Sequence, residues 1–496
     1  MTIDRTLEQT TGEIESTTVK ETSETFEWTK QWYPVAVVEF LDPSRPHSMQ
    51  LLGKDIVLWR DNIGEWNCFE DFCPHRLVPF SEGRVESDGT LLCAYHAWRF
   101  NSQGKCVSIP QSKDKETEAK NCENSRSRAM VYPTQVLQGL LWVWGESGET
   151  AQLESQLRSP RIIPELEDNS DKVEKLSWNV RDLPYGWDFF MENVSDPAHA
   201  PVSHHGIIGN RYSDAKYYDM LSIKEMSAQE GFAYEIKPTS PNVKQSVHDF
   251  QPPCHMRIFA ELSDGGKVIL ALYAIPTRPG WCRHIGCQIL VKNQEGKKPK
   301  GLFSLPFPMP TWFAHIFGTL FLHQDSVFLH YQEKILAKQK NRWLETVYTP
   351  NPQDKMVIAL RNWIEKRAGG GVPWASECDS NLPPVEHDKS KLFDVWTTHT
   401  KNCTVCQDAL KNFNRITKFS FAASVTCLFL AIFLDSRAVA IEAASKQIDT
   451  NILFIAPSTG FWLALGGAII LAIIGYFLNK FARLFLVYEF HHADNH

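Results

Sequence analysis

The chain has 496 residues, 43% of them hydrophobic and 22% charged, with a formal net charge of −7. That length asks for two or three domains, and the balance excludes a fibrous or wholly disordered protein. The acidic balance excludes a general affinity for nucleic-acid backbone, although seven acids against two bases fall in residues 1–28 alone. The twelve cysteines are too sparse for a disulfide scaffold. Several cluster with histidines, which points to metal chemistry in a reducing compartment.

Residues 1–28 are rich in Thr, Glu and Ser. They bury too little to offset ordering entropy and are expected to be disordered. They lack the apolar core of a signal peptide and are too acidic for a transit peptide, so the chain is expected to begin where it works or after processing. Residues 29–150 read as an all-β domain, with strand-like runs Val35–Val38, Ile56–Trp59, Thr90–Leu92 and Leu140–Trp144 between turn glycines. The polar stretch 112–128 is expected to be a surface loop. Residues 151–400 mix strand-like Val268–Tyr273 and Cys287–Val291 with helical 184–197, 311–340 and 354–368. That pattern describes an α+β domain in which long helices pack on a sheet.

Two uncharged runs follow, 16 residues over 419–434 and 27 over 452–478. The second is long enough to span a bilayer and the first needs its flanks. The competing readings are buried core helices or a hairpin lying in the interface. Lys411, Arg415 and Lys418 precede the first run, and Lys480 and Arg483 follow the second. Both ends, and the body of the protein, are then expected on the cytoplasmic or stromal side. The expected C-terminal parts are a linker over 401–417, a two-helix anchor over 418–480 and a tail over 481–496.

Three constellations carry chemistry. Cys73, His75, Cys93 and His96 stand as C-x-H-x17-C-x-x-H. Two thiolates and two imidazoles suit an asymmetric [2Fe–2S] cluster, and the imidazoles raise its potential above that of an all-Cys cluster. A Cys2His2 zinc site competes, but zinc fingers place both cysteines first and both histidines later on a helix. Here the ligands alternate on two loops.

Downstream, Asp196, His199 and His204 form D-x-x-H-x4-H, with Asn193 just before them. Two imidazoles and one carboxylate on one face of a metal leave open positions for oxygen, as in non-haem ferrous oxygenases. A spacing of five lies about 140° off one face of an ideal helix, so both histidines ligate only if the helix is distorted, and Pro201 supplies a cause. Asp196, three residues before His199, is expected on the same helical face. The carboxylate ligand must come from elsewhere. Asp325 is an acid in the otherwise apolar, helix-like run Phe321–His330, where an unpaired charge is costly and a metal resolves the cost. Glu192 is the alternative, and His205 could replace His204. Asn193 could orient a ligand or a bound water. Last, Cys403 and Cys406 form a C-x-x-C. It is a redox dithiol, half a zinc site or two unrelated thiols, and no second C-x-x-C stands nearby to complete a zinc site.

The segment Cys73-Pro74-His75-Arg76 through Cys93-x-Tyr95-His96-x-Trp98-x-Phe100 resembles the Rieske domain of Rieske-type oxygenases, with Ala97 where that family usually has Gly. The D-x-x-H-x4-H set resembles their mononuclear iron motif, and Phe321, Gln324 and Asp325 resemble the F-x-x-Q-D that carries the third ligand in the monooxygenase branch. The resemblance implies that Cys73, His75, Cys93 and His96 hold a [2Fe–2S] cluster and that His199, His204 and Asp325 bind Fe(II). It implies that Asp196 bridges the iron to a cluster histidine of a neighbouring subunit; holding a bound water is its duller alternative.

The order of Rieske site, iron site, C-x-x-C and two apolar runs resembles the pheophorbide a oxygenase family, which includes chlorophyllide a oxygenase and TIC 55-like proteins. So do Trp32-Tyr33-Pro34, Glu70–Leu77, Gly104–Gln111 and Asp196–Gly206. This resemblance implies an α+β chain with a Rieske domain, a helix-grip catalytic domain and a two-helix membrane anchor, assembled as a homotrimer. It implies an oxygenase that uses O2 and electrons from an external donor such as ferredoxin, since no G-x-G-x-x-G fingerprint is visible. The implied substrate is a hydrophobic tetrapyrrole such as pheophorbide a or chlorophyllide a, at a thylakoid or other photosynthetic membrane. A membrane-bound Rieske electron-transfer or redox-sensing protein, and an oxygenase of another lipophilic ring, are the alternatives.

Overall fold

The computed structural model describes residues 25–167, 171–237, 241–301, 309–340, 342–446 and 457–494. Most of the N-terminal segment expected to be disordered, residues 1–24, lies outside the described residues. Its end does not behave as expected. Phe26 and Trp28 are buried, with Trp28 packed edge-on against Trp187 at 5.1 Å and Phe26 5.3 Å from Trp363. Burying one large aromatic side chain is worth about 2–3 kcal/mol, enough to order the few residues around it, so the folded domain begins before residue 29.

The N-terminal domain is all β. Trp32–Val37 pairs antiparallel with Leu140–Trp144, which pairs with Thr134–Leu137. A second sheet runs His47–Leu51, Lys54–Arg60, Trp66–Glu70 and Val131–Tyr132. A third is built from short strands between residues 84 and 108. Trp59, Phe69, Phe80, Leu91 and Phe100 form a separate small core beneath these short strands. The expected loop over 112–128 is instead a helix, Lys115–Glu123, capped by Asp114, which accepts from the Thr117 amide at 2.8 Å. Its polarity suggested a loop, but Lys, Glu and Ala are helix formers and Asp is a strong N-cap.

The middle of the chain is a large antiparallel sheet. Met220–Ser227, Gly231–Ile236, Val243–Gln251, His255–Leu262, Lys267–Arg278 and Trp281–Val291 pair in sequence order, and Val173–Lys175 and Asn179–Leu183 both pair with the last of them. The helix Thr311–Lys338 crosses this edge. Gly318 permits the approach, because a Cβ there would collide with the Asn179 side chain. The helix Lys355–Arg367 locks onto the helix Trp187–Ser195 through Arg361, whose guanidinium binds Asp188 at 2.6 Å and also Glu192.

Two helices close the fold, Thr404–Lys446 and Thr459–Ala482. Both are long and apolar enough to cross a membrane by length and composition. They pack on each other, with Ser424 Oγ donating to the Ala468 carbonyl at 2.7 Å and Phe421 seated on Gly475. Their outer faces expose large apolar side chains, including Phe419, Phe429 and Leu463, which distinguishes them from the core helices of a soluble protein. The expected 401–417 linker is mostly the first turns of the longer helix. The expected tail also has a fixed course: the Tyr488 carbonyl accepts from His323 Nδ1 at 2.7 Å, and His492 Nε2 donates to the Gln324 carbonyl at 2.6 Å. The C-terminal segment therefore lies along the helix that carries Asp325.

Candidate functional site

Cys73 and Cys93 head two similar loops. In the first, the Cys73 amide donates to the Val78 carbonyl and the Leu77 amide returns to the Cys73 carbonyl. In the second, the Cys93 amide donates to the Trp98 carbonyl and the Ala97 amide returns to the Cys93 carbonyl. Leu77 and Ala97 occupy matching positions, and both have φ of +57°. A left-handed conformation costs a non-glycine residue about 1–2 kcal/mol, so the methyl of Ala97 is a matter of backbone strain as well as of proximity to a ligand. The loops bring the rings of His75 and His96 to 4.5 Å, and Trp98 stacks on His75 with an interplanar angle of 6°. Both cysteines are buried while both histidines are half-buried. The thiolate side of such a quartet faces the small core and the imidazole side faces outward.

The second set gathers at the end of the helix Trp187–Ser195. The sequence predicted one helix distorted between His199 and His204, but the chain makes two. The first ends at Ser195, Asp196 is extended at its C-cap, and a four-residue helix, Ala200–Ser203, separates His199 at its N-cap from His204 at its C-cap. Pro201 opens the short helix instead of bending a long one. Asp196 thus shares no helical face with His199, a correction that follows from its extended backbone. Its carboxylate accepts from the Ala198 amide at 2.8 Å and stands 4.0 Å from His199 Nδ1. Burial, opposed by His199, pushes its carboxyl above the usual range.

Asp325 reaches the same place from the middle of the helix Thr311–Lys338. Its Oδ2 lies 3.1 Å from His204 Nε2 and 3.7 Å from His199 Nε2, and accepts from Asn193 Nδ2 at 3.0 Å. Burial raises the Asp325 carboxyl pKa, but the His204 hydrogen bond, the two imidazoles and Asn193 together hold it below the usual range. Each imidazole is oriented from behind. His204 Nδ1 donates to Gln324 Oε1 at 2.9 Å, and His199 Nδ1 donates to the Asp196 carbonyl. With both Nδ1 atoms so engaged, both Nε2 atoms face one spot beside the carboxylate, where a bound metal would take their lone pairs in place of the His204 hydrogen bond to Asp325. Phe321 stacks on His204 at 3.9 Å. The two alternative ligands are engaged elsewhere. Glu192 is taken by Arg361 and by Gln332 Nε2 at 2.8 Å, and His205 accepts from the Arg211 amide at 3.1 Å through Nδ1.

The triad borders a cavity of about 920 Å³ walled by the sheet and the long helix, with Phe190, Ile258, Leu272 and Phe321 among its apolar lining. Cys403 and Cys406 lie apart from it and meet His315 and His399, two histidines the sequence reading passed over.

Residues 31–124 match the Rieske [2Fe-2S] domain family and residues 250–343 the pheophorbide a oxygenase family. Over 426 residues the chain is 35% identical to the chloroplastic pheophorbide a oxygenase of Arabidopsis thaliana, covering 81% of this chain and 76% of that protein. The chain belongs to the pheophorbide a oxygenase family. This family member is also 31% identical to the chloroplastic flavonoid 8-hydroxylase 2 of Ocimum basilicum, over 79% of this chain and 75% of that protein. Its fold matches the crystal structure of dicamba monooxygenase bound to dicamba, with a TM-score of 0.51 and 17% identity over 69% of this chain and 97% of that one.

As a pheophorbide a oxygenase family member, the protein is a Rieske-type oxygenase with a [2Fe–2S] cluster and a mononuclear iron, using O2 and an electron donor. The donor sets described above fit both groups. The role of Gln324 was not read from the sequence, although the F-x-x-Q-D pattern displayed the residue. Neither His315 nor His399 stood in any local motif.

Proposed function

We propose that this family member oxygenates a chlorophyll-type tetrapyrrole, such as pheophorbide a or chlorophyllide a, beside His199, His204 and Asp325. The observation that carries the reading is the convergence of those three side chains on the wall of a large, mostly apolar cavity of about 920 Å³. That volume lies near the top of the range of about 300–1,000 Å³ for small-molecule sites, which suits a bulky, flat, hydrophobic ring system.

In this reading Cys73, His75, Cys93 and His96 hold the cluster, and His199, His204 and Asp325 hold the iron. When bound, the cluster supplies electrons and the iron supplies the activation of O2. The chain's own residues do the rest. Gln324 and the Asp196 carbonyl fix the two imidazole tautomers, Asn193 holds the Asp325 carboxylate in place, and the apolar walls exclude water from the substrate. Asp196 is the proposed bridge to a cluster histidine of a neighbouring subunit in a homotrimer. Support comes from Leu77 and Tyr95, side chains 70% and 58% accessible on the two loops that also carry the outward-facing imidazoles. Ferredoxin is the proposed external donor. The two apolar helices are proposed to anchor the protein in a thylakoid or other photosynthetic membrane, with Lys411, Arg415 and Lys418 keeping the catalytic body on the stromal side.

The test is to supply reduced ferredoxin and ¹⁸O2 to the purified chain with a panel of chlorophyll pigments. Labelled pigment is expected. The similarity to a flavonoid 8-hydroxylase makes a flavone the proper second substrate in the panel, and label in the flavone alone would refute the tetrapyrrole assignment. Asp325→Ala is expected to abolish turnover while the cluster's visible spectrum persists. Undiminished function in that variant would instead favour the electron-transfer reading.

A further inference from the structure

Cys403 and Cys406 have no part in the oxygenase site, yet both are fully buried, as are His315 and His399. The four come from different places. His315 is on the first turns of the helix Thr311–Lys338, His399 precedes a short turn, and the cysteines begin the helix Thr404–Lys446. Their side-chain donors nevertheless converge. His315 Nδ1 lies 3.1 Å from His399 Nε2, 3.2 Å from Cys406 Sγ and 3.7 Å from Cys403 Sγ, while His399 Nε2 lies 3.2 Å from Cys406 Sγ. A tetrahedron with Zn–N of about 2.1 Å and Zn–S of about 2.3 Å has N···N edges of about 3.4 Å and N···S edges of about 3.6 Å. Three of the observed edges are about 0.3–0.4 Å shorter than those values and the Cys403 edge is within about 0.1 Å, so the donors already stand slightly closer than a bound zinc would hold them.

Ordinary hydrogen bonding does not account for the cluster. His315 Nε2 donates to the Trp178 carbonyl at 2.9 Å, so His315 Nδ1 carries a bare lone pair. Three further polar atoms crowd around that lone pair, which can accept only one proton well. A soft divalent cation satisfies all four donors at once. The Trp178 carbonyl then serves as the outer partner that orients a ligating histidine.

We propose that His315, His399, Cys403 and Cys406 bind one Zn²⁺ in a closed, structural Cys2His2 site that pins the C-terminal helix pair to the helix carrying Asp325. Four protein ligands leave no open position, in contrast to the three around the iron. The site stands about 15 Å along the helix from Asp325, ten residues at about 1.5 Å each. Neighbouring contacts converge on the same junction. Trp312 packs on Phe413 at 5.2 Å and on Phe481 at 5.9 Å, and Thr400 Oγ1 donates to the Phe485 carbonyl at 2.7 Å. A metal there joins three segments: the helix carrying Asp325, the turn at His399 and the start of the helix Thr404–Lys446.

The full chain, purified in detergent with its iron centres loaded, should be measured for metals by mass spectrometry and for ligation by zinc-edge X-ray absorption. About one zinc per chain beside the iron is expected, with a shell of two sulfur and two nitrogen atoms. Cys403→Ser with Cys406→Ser is expected to lower that zinc at least tenfold while the Rieske visible spectrum is kept. The absorption measurement on the unmodified chain decides the matter even if that variant misfolds. Zinc below a tenth of an equivalent in fully iron-loaded protein would overturn the proposal. So would a shell of nitrogen and oxygen alone, which marks zinc misplaced in the iron site, a Cys403–Cys406 disulfide found by peptide mapping, or zinc retained in the double variant.

Discussion

At the scale of single residues, the proposed iron site depends on groups behind its ligands. Gln324 holds His204 by one hydrogen bond to Nδ1. Loss of such an outer partner typically costs a metal site about 10–100-fold in affinity. Gln324→Leu keeps the side-chain volume and removes the acceptor. It is expected to lose mononuclear iron to a mild chelator at least tenfold faster, with the reduced cluster's paramagnetic signal unchanged. Gln324→Glu, which keeps an acceptor, should retain most of the iron. Equal retention in all three proteins would show that Gln324 does not position His204. Asp325 itself was legible as a buried acid in an apolar run. The failure of Glu192 as its rival was not, because Arg361, which neutralises Glu192, lies 169 residues away in sequence.

At the scale of elements, the sheet carries buried histidines that tie stability to pH. Burial pushes His255 down to about 3 and His284 down to about 4. In the unfolded chain both titrate near pH 6.5. Their contribution is therefore complete above pH 6.5 and is lost as pH falls toward 4, at about 1.4 kcal/mol per pH unit for each. Glu333 works the other way: burial and then Asp188 raise its carboxyl to about 7, so folding takes up its proton between the usual carboxylate range and 7. Two histidines outweigh one glutamate, and thermal midpoints should fall from pH 6.5 to pH 5. Glu333→Gln should make the fall steeper. A flat profile over that window would refute both assignments.

The helix pair offers a mechanical test at the same scale. Phe421 contacts the bare face of Gly475, and close approach through small residues is a main source of helix association in a membrane. Gly475→Leu is expected to lower the thermal midpoint of the detergent-solubilised protein by several degrees, without change in the cluster spectrum.

At the scale of the whole molecule, the helix Thr311–Lys338 is the shared beam. It carries Asp325, it carries His315, and the C-terminal segment lies along it through Tyr488 and His492. The apolar helix pair, the C-terminus and the proposed iron site are thus one mechanical unit. Removing the residues after Leu486 takes away the acceptor for His323 and the His492 hydrogen bond to the backbone of Gln324 itself. The truncated protein should lose mononuclear iron to a chelator several-fold faster, again with the cluster intact, as measured by metal content after the wash. Iron retention matching the full chain would separate the C-terminus from the site.

The sequence by itself determined the parts that depend on neighbours along the chain. The alternation of Cys and His on two loops, the strand runs and, among the described residues, the two long apolar runs are local patterns that reappear as structural elements, while the H-x4-H with its intervening proline reappears as a separate short helix and not as one distorted helix. Only the tertiary structure decided which distant groups complete them. It placed Asp325 beside His199 and His204 and Glu192 against Arg361, set Gln324 behind His204, brought His315 and His399 to the C-x-x-C, and laid the C-terminus on the Asp325 helix. The reason is physical. Periodicity reports which face of an element is buried, but not what it meets there. A partner 84 to 169 residues away is fixed by the packing of the whole core.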